Sequence, residues 1–316
     1  MSFKDPIFKA SAPGSLFLLG EYAVLYNKPA VVGALDKRMT VMLKPRADEQ
    51  VELIAEGYGR MTTSLAELMI TPPFHFVSAC LYLHRKKLPS GCEIYITSEF
   101  SDQIGLGSSA AVTVATLAAL FTWLELPRDH LTLIREACRV VREVQVVGSG
   151  ADVAASVMGG IVAYRAMPLD VEKFSLTPSL TVIYSGSKTP TVEAITRVRE
   201  KFASTPKLFN TLCQAIHHCA KEGIYALQEA NWPRLGAAMN VQQGLMQSLG
   251  VSTPLLDDLI ERLRTDPAIG GAKISGSGWG DCVIGLGKAE PLGVEERYSG
   301  TKQIDVQVTP EGVWVQ

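Results

Sequence analysis

Three glycine-rich segments of this sequence place hydroxyl, carboxyl and amine groups among small residues. The first segment, IGLGSSAA, begins a run from Ile104 to Leu124 that contains no charged residue. The free N–H groups at the start of a helix and its partial positive charge suit an anion. Glycine lets the backbone approach phosphate oxygens closely, and serine hydroxyls can add further contacts. We therefore predict a phosphate-binding loop that is formed by Gly105, Leu106, Gly107, Ser108, Ser109 and Ala110.

The first segment has two other interpretations. It could be a tight turn between a strand and a helix, with serine caps. It also fits the dinucleotide pattern G-x-G-x-x-A, with Glu125 at about the required distance. That pattern needs a strand that runs directly into the first glycine and a second strand before the acid. Here the residues from Glu99 to Gln103 intervene, and the helical pattern continues to Trp123, so the dinucleotide interpretation fails. The P-loop pattern G-x-x-x-x-G-K-[ST] does not occur in the sequence.

The overall composition restricts the class of protein. The chain has 316 residues, is 47% hydrophobic and carries a formal net charge of −2. A near-neutral balance without a run of Lys or Arg argues against nucleic acid or an acidic membrane as the main partner. The N-terminus lacks a signal-peptide pattern, and six scattered cysteines indicate reduced thiols, so we expect a cytoplasmic protein. The uncharged run is long enough to span a bilayer, but its small residues favour a buried helix instead.

Hydrophobic patterning predicts an α+β chain, with a mixed N-terminal half and a helix-rich half that returns to a sheet. We expect the division to fall between residues 1–168 and 169–316. Strands are predicted at Phe8–Ala10, Leu16–Leu19, Ala30–Leu35, Met39–Leu43, Val51–Ile54, Glu93–Thr97, Gly160–Tyr164 and Leu180–Tyr184. Helices are predicted at Pro73–Lys86, Leu131–Val144, Thr191–Phe202, Leu208–Gln228, Trp232–Leu249 and Thr253–Thr265.

Three motifs together resemble those of the GHMP kinases, a family of ATP-dependent kinases of small molecules. They are APGSLFLLGEYAVLYNKPAV from Ala12, IGLGSSAA from Ile104 and GAKISGSGWGDCVIGL from Gly271. The resemblance implies a two-domain fold, with an N-terminal domain of the ribosomal S5 domain 2-like type and a ferredoxin-like C-terminal domain. It also implies an active site between the domains, with ATP and Mg²⁺ as cofactors.

Within that family the sequence is most similar to the branch that acts on mevalonate or phosphomevalonate. The segment GSGADVAASVMGG resembles the one that contains the catalytic aspartate of this branch, which corresponds to Asp152. The short chain and YNKPAVVGA favour mevalonate as the acceptor alcohol, whereas GEYAVL, GSGADVAA and GDC favour phosphomevalonate. A phosphomevalonate site would need extra cations, for which Lys28, Lys37, Arg38 and Lys188 are the candidates. We expect mevalonate, with phosphomevalonate as the alternative.

Three positions depart from the family pattern. Ser15 stands where the family usually has a lysine that helps to activate the substrate hydroxyl, and Tyr22 stands where mevalonate kinases have a histidine. The position of the family's magnesium-binding glutamate falls at Val141, with Glu143 nearby. The missing lysine leaves a second interpretation open, in which a non-catalytic relative binds a nucleotide or another ligand as a sensor.

The resemblance assigns a role to each candidate residue. Asp152 is expected to act as the base or aligning anion for the acceptor hydroxyl; the alternative is a helix N-cap. Gly276, Ser277 and Gly278 are expected to close on the ATP phosphates, or else to form a hairpin turn. Ser108, Ser109 and Glu143 are the candidate magnesium ligands. The candidate substrate-binding residues are Ser15, Glu21, Tyr22, Lys188 and Thr191. Alternatively, Glu21 and Tyr22 simply end a strand, and Lys188 and Thr191 lie in a solvated loop. The oligomeric state stays open, with a homodimer as one option.

Overall fold

The computed structural model describes residues 6–145 and 147–316, and these residues form the predicted α+β architecture. The described strands are β1 Phe8–Leu19, β2 Ala30–Pro45, β3 Gln50–Ala55, β4 Gly59–Ser64, β5 Cys92–Ser98, β6 Ile161–Arg165, β7 Asp170–Phe174, β8 Leu180–Tyr184, β9 Ala272–Ser275, β10 Cys282–Leu286, β11 Lys302–Ile304 and β12 Trp314–Val315. The described helices are α1 His75–His84, α2 Ser108–Trp123, α3 His130–Gln145, α4 Ala151–Met158, α5 Thr191–Lys201, α6 Pro206–Gln228, α7 Trp232–Leu249, α8 Pro254–Thr265 and α9 Val294–Arg297.

The first sheet has eight strands. The helices packed on it carry the first glycine-rich segment and the second, GSGADVAASVMGG from Gly148; the third is GAKISGSGWGDCVIGL from Gly271. The main path of the first sheet runs β12-β1-β2-β5-β3-β4, and β6 and β7 branch from β2. Pairing is antiparallel except between β3 and β5. The long strand β1 continues through Pro13 and Gly14, with a register shift between Pro13 and Ser15. The sequence predicted two separate strands there, because proline and glycine usually interrupt a strand.

The uncharged run from the first glycine segment forms α2, which packs on β1 and β2 and against α1, α3 and α4. Most of its side chains are fully buried, including Thr113 and Thr116. Each of these threonine hydroxyls donates a 2.7 Å hydrogen bond to the carbonyl four residues earlier, so neither is buried without a partner. Small side chains let α2 lie deep in the core, which explains the absence of charge.

The second sheet is antiparallel, with the order β11-β8-β10-β9, and α7 and α8 pack on β9. Together with these helices, the second sheet forms the helix-rich half of the chain. Two segments beyond residue 168 nevertheless belong to the first sheet, because β7 pairs with β6 and β12 pairs with β1. The first sheet therefore continues past the expected division, and the end of the chain returns to it.

The described residues contain no helix that is both long and apolar enough to cross a membrane. All six cysteines are buried and carry free thiols.

Candidate active site

A cavity of about 180 Å³ lies between the two halves of the chain, where the three glycine-rich segments meet. The amino end of α2, the amino end of α4, the end of β1 and the loop between β9 and β10 all contribute to its wall. The lining includes these predicted site residues: Ser15, Glu21, Tyr22, Gly105, Gly107, Ser108, Ser109, Ala110, Asp152, Lys188, Thr191, Gly276 and Ser277.

The amino end of α2 offers unpaired backbone donors to this cavity. Gly107 precedes the helix with φ of 67°, and within the described part of the chain no side chain caps this end. The N–H groups of Ser108, Ser109 and Ala110 therefore have no intrahelical acceptor. This geometry argues against the interpretation as a serine-capped turn and leaves a site for an anion.

Gly107 is required by a close approach to β1. A Cβ atom built on this residue would overlap the hydroxyl of Ser15, and its positive φ would strain any L side chain. Leu106 has a different role from its neighbours. Its side chain is buried, and its carbonyl accepts a 3.0 Å hydrogen bond from Ser15 N. Leu106 therefore fixes the loop to β1, and it is absent from the cavity lining.

Asp152 contacts Ser15 in the wall of the cavity. Ser15 Oγ donates a 2.8 Å hydrogen bond to Asp152 Oδ1. The N-cap of α4 is Gly150, and Asp152 is the second residue of the helix. Among the described residues no backbone N–H is bonded to its carboxylate, so the alternative interpretation as an N-cap is not supported by the geometry. The side chain instead lines the cavity.

Burial raises the pKa of the Asp152 carboxyl to about 6. The negative charge of Glu21 adds to this increase in pKa, while the hydrogen bond from Ser15 opposes it. A carboxylate with a pKa closer to neutrality is a stronger base for a hydroxyl proton. The walls of the cavity therefore compensate in part for the weak basicity of an ordinary aspartate.

Glu21 belongs to a buried polar network that sequence reasoning missed. Its carboxylate is ion-paired with Lys273 of β9 and accepts a hydrogen bond from Gln242 of α7. Lys273 is fully buried, and Glu21 is 3% exposed. Gln242 Oε1 also accepts a 3.0 Å hydrogen bond from Gly20 N, which joins the two halves of the chain. Both oxygens of Glu21 are thus engaged within the protein, which leaves neither oxygen free to bind a substrate.

Tyr22 also connects the two halves. Its hydroxyl donates a 2.6 Å hydrogen bond to the carbonyl of Ser277 in the third glycine-rich segment. Its φ of 61° is unusual for a residue other than glycine and indicates local strain. Burial, with a smaller contribution from Glu21, raises the pKa of the Tyr22 hydroxyl. The ring lines the cavity, but the hydroxyl holds the third segment in place and is not free for a substrate.

The third glycine-rich segment forms the connection between β9 and β10, so it is both a hairpin loop and part of the cavity wall. Gly276 and Ser277 line the cavity, and Ser277 Oγ is buried without a hydrogen-bond partner among the described residues. Gly278 does not line it, since this residue lies against Val251 and Trp279 N donates a 2.7 Å hydrogen bond to the Val251 carbonyl. The expectation that Gly278 approaches the phosphates is therefore corrected: it fits the loop to the turn after α7.

Lys188 lies in the segment before α5 and Thr191 is the first residue of α5; both line the cavity. Lys188 Nζ donates a 2.6 Å hydrogen bond to the carbonyl of Asp102, next to the phosphate-binding loop. Thr191 is exposed at the cavity edge. Lys188 also lines a second cavity of about 170 Å³ on the other side of Ser108 and Ser109.

Glu143 is not brought to the cavity. The lining residues of α3 are Val141 and Gln145, which lie four residues apart on one face of the helix. A residue midway between them points to the opposite face, and Glu143 is exposed there. The expectation that Glu143 holds magnesium is corrected by this placement.

The site fits a nucleotide phosphate beside an acceptor hydroxyl. The unpaired amides of α2 suit phosphate oxygens, and the Ser277 hydroxyl has no partner inside the described chain. The Asp152 carboxylate lines the same cavity as these donors. Donors for an anion beside a base for a hydroxyl define a site for phosphoryl transfer to an alcohol.

Two family models match segments in both halves of the chain. The family model for the GHMP kinases N terminal domain matches residues 75–160, and that for the GHMP kinases C terminal domain matches residues 224–298. The chain belongs to the GHMP kinases and is an ATP-dependent kinase of a small-molecule alcohol. The two-domain fold expected from the sequence motifs is thereby confirmed.

The relatives include mevalonate kinases along the full length of the chain. The mevalonate kinase of Pyrococcus abyssi is 30% identical over 327 residues and covers 97% of both chains. The crystal structure of the Methanococcus jannaschii mevalonate kinase aligns with a TM-score of 0.79 at 21% identity, covering 98% of this chain and 100% of that one. The Streptococcus pneumoniae phosphomevalonate kinase aligns with a TM-score of 0.77 at 18% identity, covering 94% and 98%.

Proposed function

We propose that the chain phosphorylates the hydroxyl of mevalonate, with ATP as the phosphoryl donor and Mg²⁺ as the cofactor, in the cytoplasm. The observation that carries the proposal is the position of Asp152, a desolvated carboxylate that faces the unpaired amides of α2 across one cavity. The mevalonate kinases that match the chain over nearly its full length support mevalonate as the acceptor.

The residues of the chain divide the work of phosphoryl transfer. The N–H groups of Ser108, Ser109 and Ala110 hold the phosphates of ATP, and Asp152 accepts the proton of the acceptor hydroxyl. Mg²⁺ when bound supplies positive charge that neutralises the phosphate oxygens, with the hydroxyls of Ser108 and Ser109 as candidate ligands. The positively charged Lys188, which also lines the cavity, binds further negative charge on the ATP phosphates.

The second cavity suits the base of the nucleotide. Its wall contains the apolar residues Met39, Phe74, Val77 and Ile96, and it meets the first cavity at Ser108 and Ser109. His75 Nδ1 in this wall is buried without a hydrogen-bond partner among the described residues. A nucleotide whose phosphates lie on α2 can therefore place an apolar ring there and offer His75 a polar atom.

The charge of the cavity favours mevalonate over phosphomevalonate. A second phosphate on the acceptor needs cations beside it. Of the four candidate cations, only Lys188 lines the cavity in the described structure. Arg38 instead donates hydrogen bonds to the Ser11 and Gly312 carbonyls. One lysine already directed at the ATP side of the cavity leaves too little positive charge for a phosphorylated acceptor.

The test is a comparison of acceptors with the parent protein and Lys188→Ala. ADP formation is measured with ATP, Mg²⁺ and mevalonate, phosphomevalonate, galactose, homoserine or no acceptor. We expect mevalonate to give the highest kcat/KM. We also expect Lys188→Ala to raise the KM for ATP more than the KM for mevalonate.

Two outcomes of this comparison would contradict the proposal. A higher kcat/KM with phosphomevalonate, together with its selective loss in Lys188→Ala, would assign the alternative acceptor. ATP binding without turnover of any acceptor would favour the sensor.

A further inference from the structure

We infer that Asp281, a residue of the third motif to which the sequence analysis gave no role, provides the carboxylate that holds the divalent cation of the nucleotide. The inference rests on the proposed function, because it requires a nucleotide phosphate on the amino end of α2.

Asp281 is the last residue of the loop between β9 and β10 and lies beside the phosphate-binding loop. It directly precedes β10, and a Cβ atom built on Gly105 would lie 2.8 Å from its Oδ1. A Cβ atom built on Gly276 would lie 3.9 Å from its Oδ2. The carboxylate therefore lies in the cavity wall, where the end of the third glycine-rich segment approaches the phosphate-binding loop.

The Asp281 carboxylate has no partner of its own within the described chain. The residue is 6% exposed, and its Oδ1 is buried without a hydrogen bond. Its backbone is well satisfied, since Asp281 N donates to the Ser187 carbonyl at 2.8 Å and Ser185 N donates to the Asp281 carbonyl at 2.9 Å. The backbone thus holds the residue rigidly, with φ of 59°, while the side-chain oxygens stay available.

A buried unpaired carboxylate beside a phosphate site is unfavourable unless a cation lies between them. Lys188 acts on Asp281 only at a distance, and its amine is bonded to the Asp102 carbonyl. Mg²⁺ in proteins is commonly bound by one or two carboxylates together with substrate phosphates and water. Asp281 and a nucleotide phosphate complete such a set, whereas Glu143 on the far face of α3 cannot.

The test uses Mn²⁺ as the metal probe and AMPPNP as a nucleotide that is not hydrolysed. Mn²⁺ binding is followed by electron paramagnetic resonance at saturating AMPPNP, and metal-free AMPPNP binding by calorimetry. The variants are Asp281→Asn and Asp281→Gly, because both residues tolerate the positive φ of this position. Asp305→Asn, an exposed position, is the matched control.

We expect Asp281→Asn and Asp281→Gly each to raise the Kd for Mn²⁺ at least about 10-fold. Metal-free AMPPNP should bind these variants as tightly as the parent or more tightly, since a negative charge has been removed from the phosphate site. An unchanged Kd for Mn²⁺ in both variants overturns the inference and leaves the proposed function standing. A parent protein that binds AMPPNP neither with nor without Mn²⁺ overturns the proposed function, and the inference with it.

Discussion

The hydroxyl of Ser15 and the carboxylate of Asp152 are joined by a hydrogen bond of 2.8 Å, at the place where the family usually has a lysine beside the aspartate. A neutral hydroxyl lowers the pKa of a carboxylate less than an adjacent ammonium group would. The pKa of Asp152 is therefore free to rise to about 6 through burial. With Ser15 in place of the lysine, the site lacks one positive charge, but Asp152 is a stronger base.

This pair predicts a shift in the pH dependence of turnover in Ser15→Ala. The hydroxyl stabilises the ionised Asp152, so its removal raises the pKa of Asp152 further above about 6. Because the ionised form is the base, kcat/KM falls as the pH drops through this pKa. The acid limb of the profile of kcat/KM against pH should move to higher pH in Ser15→Ala.

Ser11→Ala is the matched control, since Ser11 is a buried serine of the same strand that contacts Arg38. Its acid limb should coincide with that of the parent. Identical limbs in Ser15→Ala and the parent would show that Ser15 does not set the pKa of Asp152.

Gly107→Ala is expected to weaken nucleotide binding. The added methyl group overlaps the Ser15 hydroxyl and is strained at positive φ, so the loop must move away from the phosphates. Calorimetry with AMPPNP should show a Kd raised at least about 10-fold, which corresponds to about 1.4 kcal/mol.

The control for this variant is Gly244→Ala in α7, where nothing lies within 4 Å of the added Cβ atom. Helix propensity predicts a slightly more stable protein with parent affinity, since alanine is favoured over glycine by about 1 kcal/mol within a helix. Parent affinity in Gly107→Ala as well would assign the segment a purely structural role.

Lys273→Met is expected to destabilise the fold more than the loss of both charges together. It leaves the buried Glu21 carboxylate without its cation, and breaking a buried ion pair typically costs about 3–5 kcal/mol. The double variant Glu21→Gln, Lys273→Met should recover part of this loss, since no unpaired charge remains. Urea unfolding at pH 7 measures the free energy of each variant.

Lys288→Met, at an exposed lysine, should unfold like the parent. A loss below about 1 kcal/mol in Lys273→Met would show that the Glu21–Lys273 pair contributes little to joining the two halves.

The sequence predicted the elements that follow a clear hydrophobic period. The helices α3 and α6 to α8 agree with the expected ranges within a few residues, because one face of each is apolar and buried. The strands β4 and β7 were missed, since GRMTTS and DVEKF are largely exposed and show no buried alternating face. Hydrogen bonding to a neighbouring strand, which is not visible in the sequence, defines both.

The candidate site was predictable where backbone shape determines it and less so where distant side chains meet. The phosphate-binding loop follows from glycines before an uncharged helix. Lys273 and Asp281 were not singled out, because each is buried only when the second sheet and its loops pack against the N-terminal half of the chain. Glu21, an acidic residue directly after an apolar strand, was the one local signal of a buried partner charge.

Asp152 is the proposed base for the acceptor hydroxyl, and the variant Asp152→Asn separates this role from a structural one. This variant keeps the size of the side chain and its ability to accept from Ser15 Oγ, but it removes the charge. The assay measures kcat with mevalonate, together with the Kd for AMPPNP and the melting temperature of the same preparation. We expect Asp152→Asn to lower kcat by about 100-fold or more and to keep the Kd for AMPPNP close to that of the parent. Because the raised pKa makes ionisation of Asp152 unfavourable in the folded state, the melting temperature at pH 8 should be equal to that of the parent or higher. Turnover close to the parent rate in Asp152→Asn would show that Asp152 is not the base for the acceptor hydroxyl.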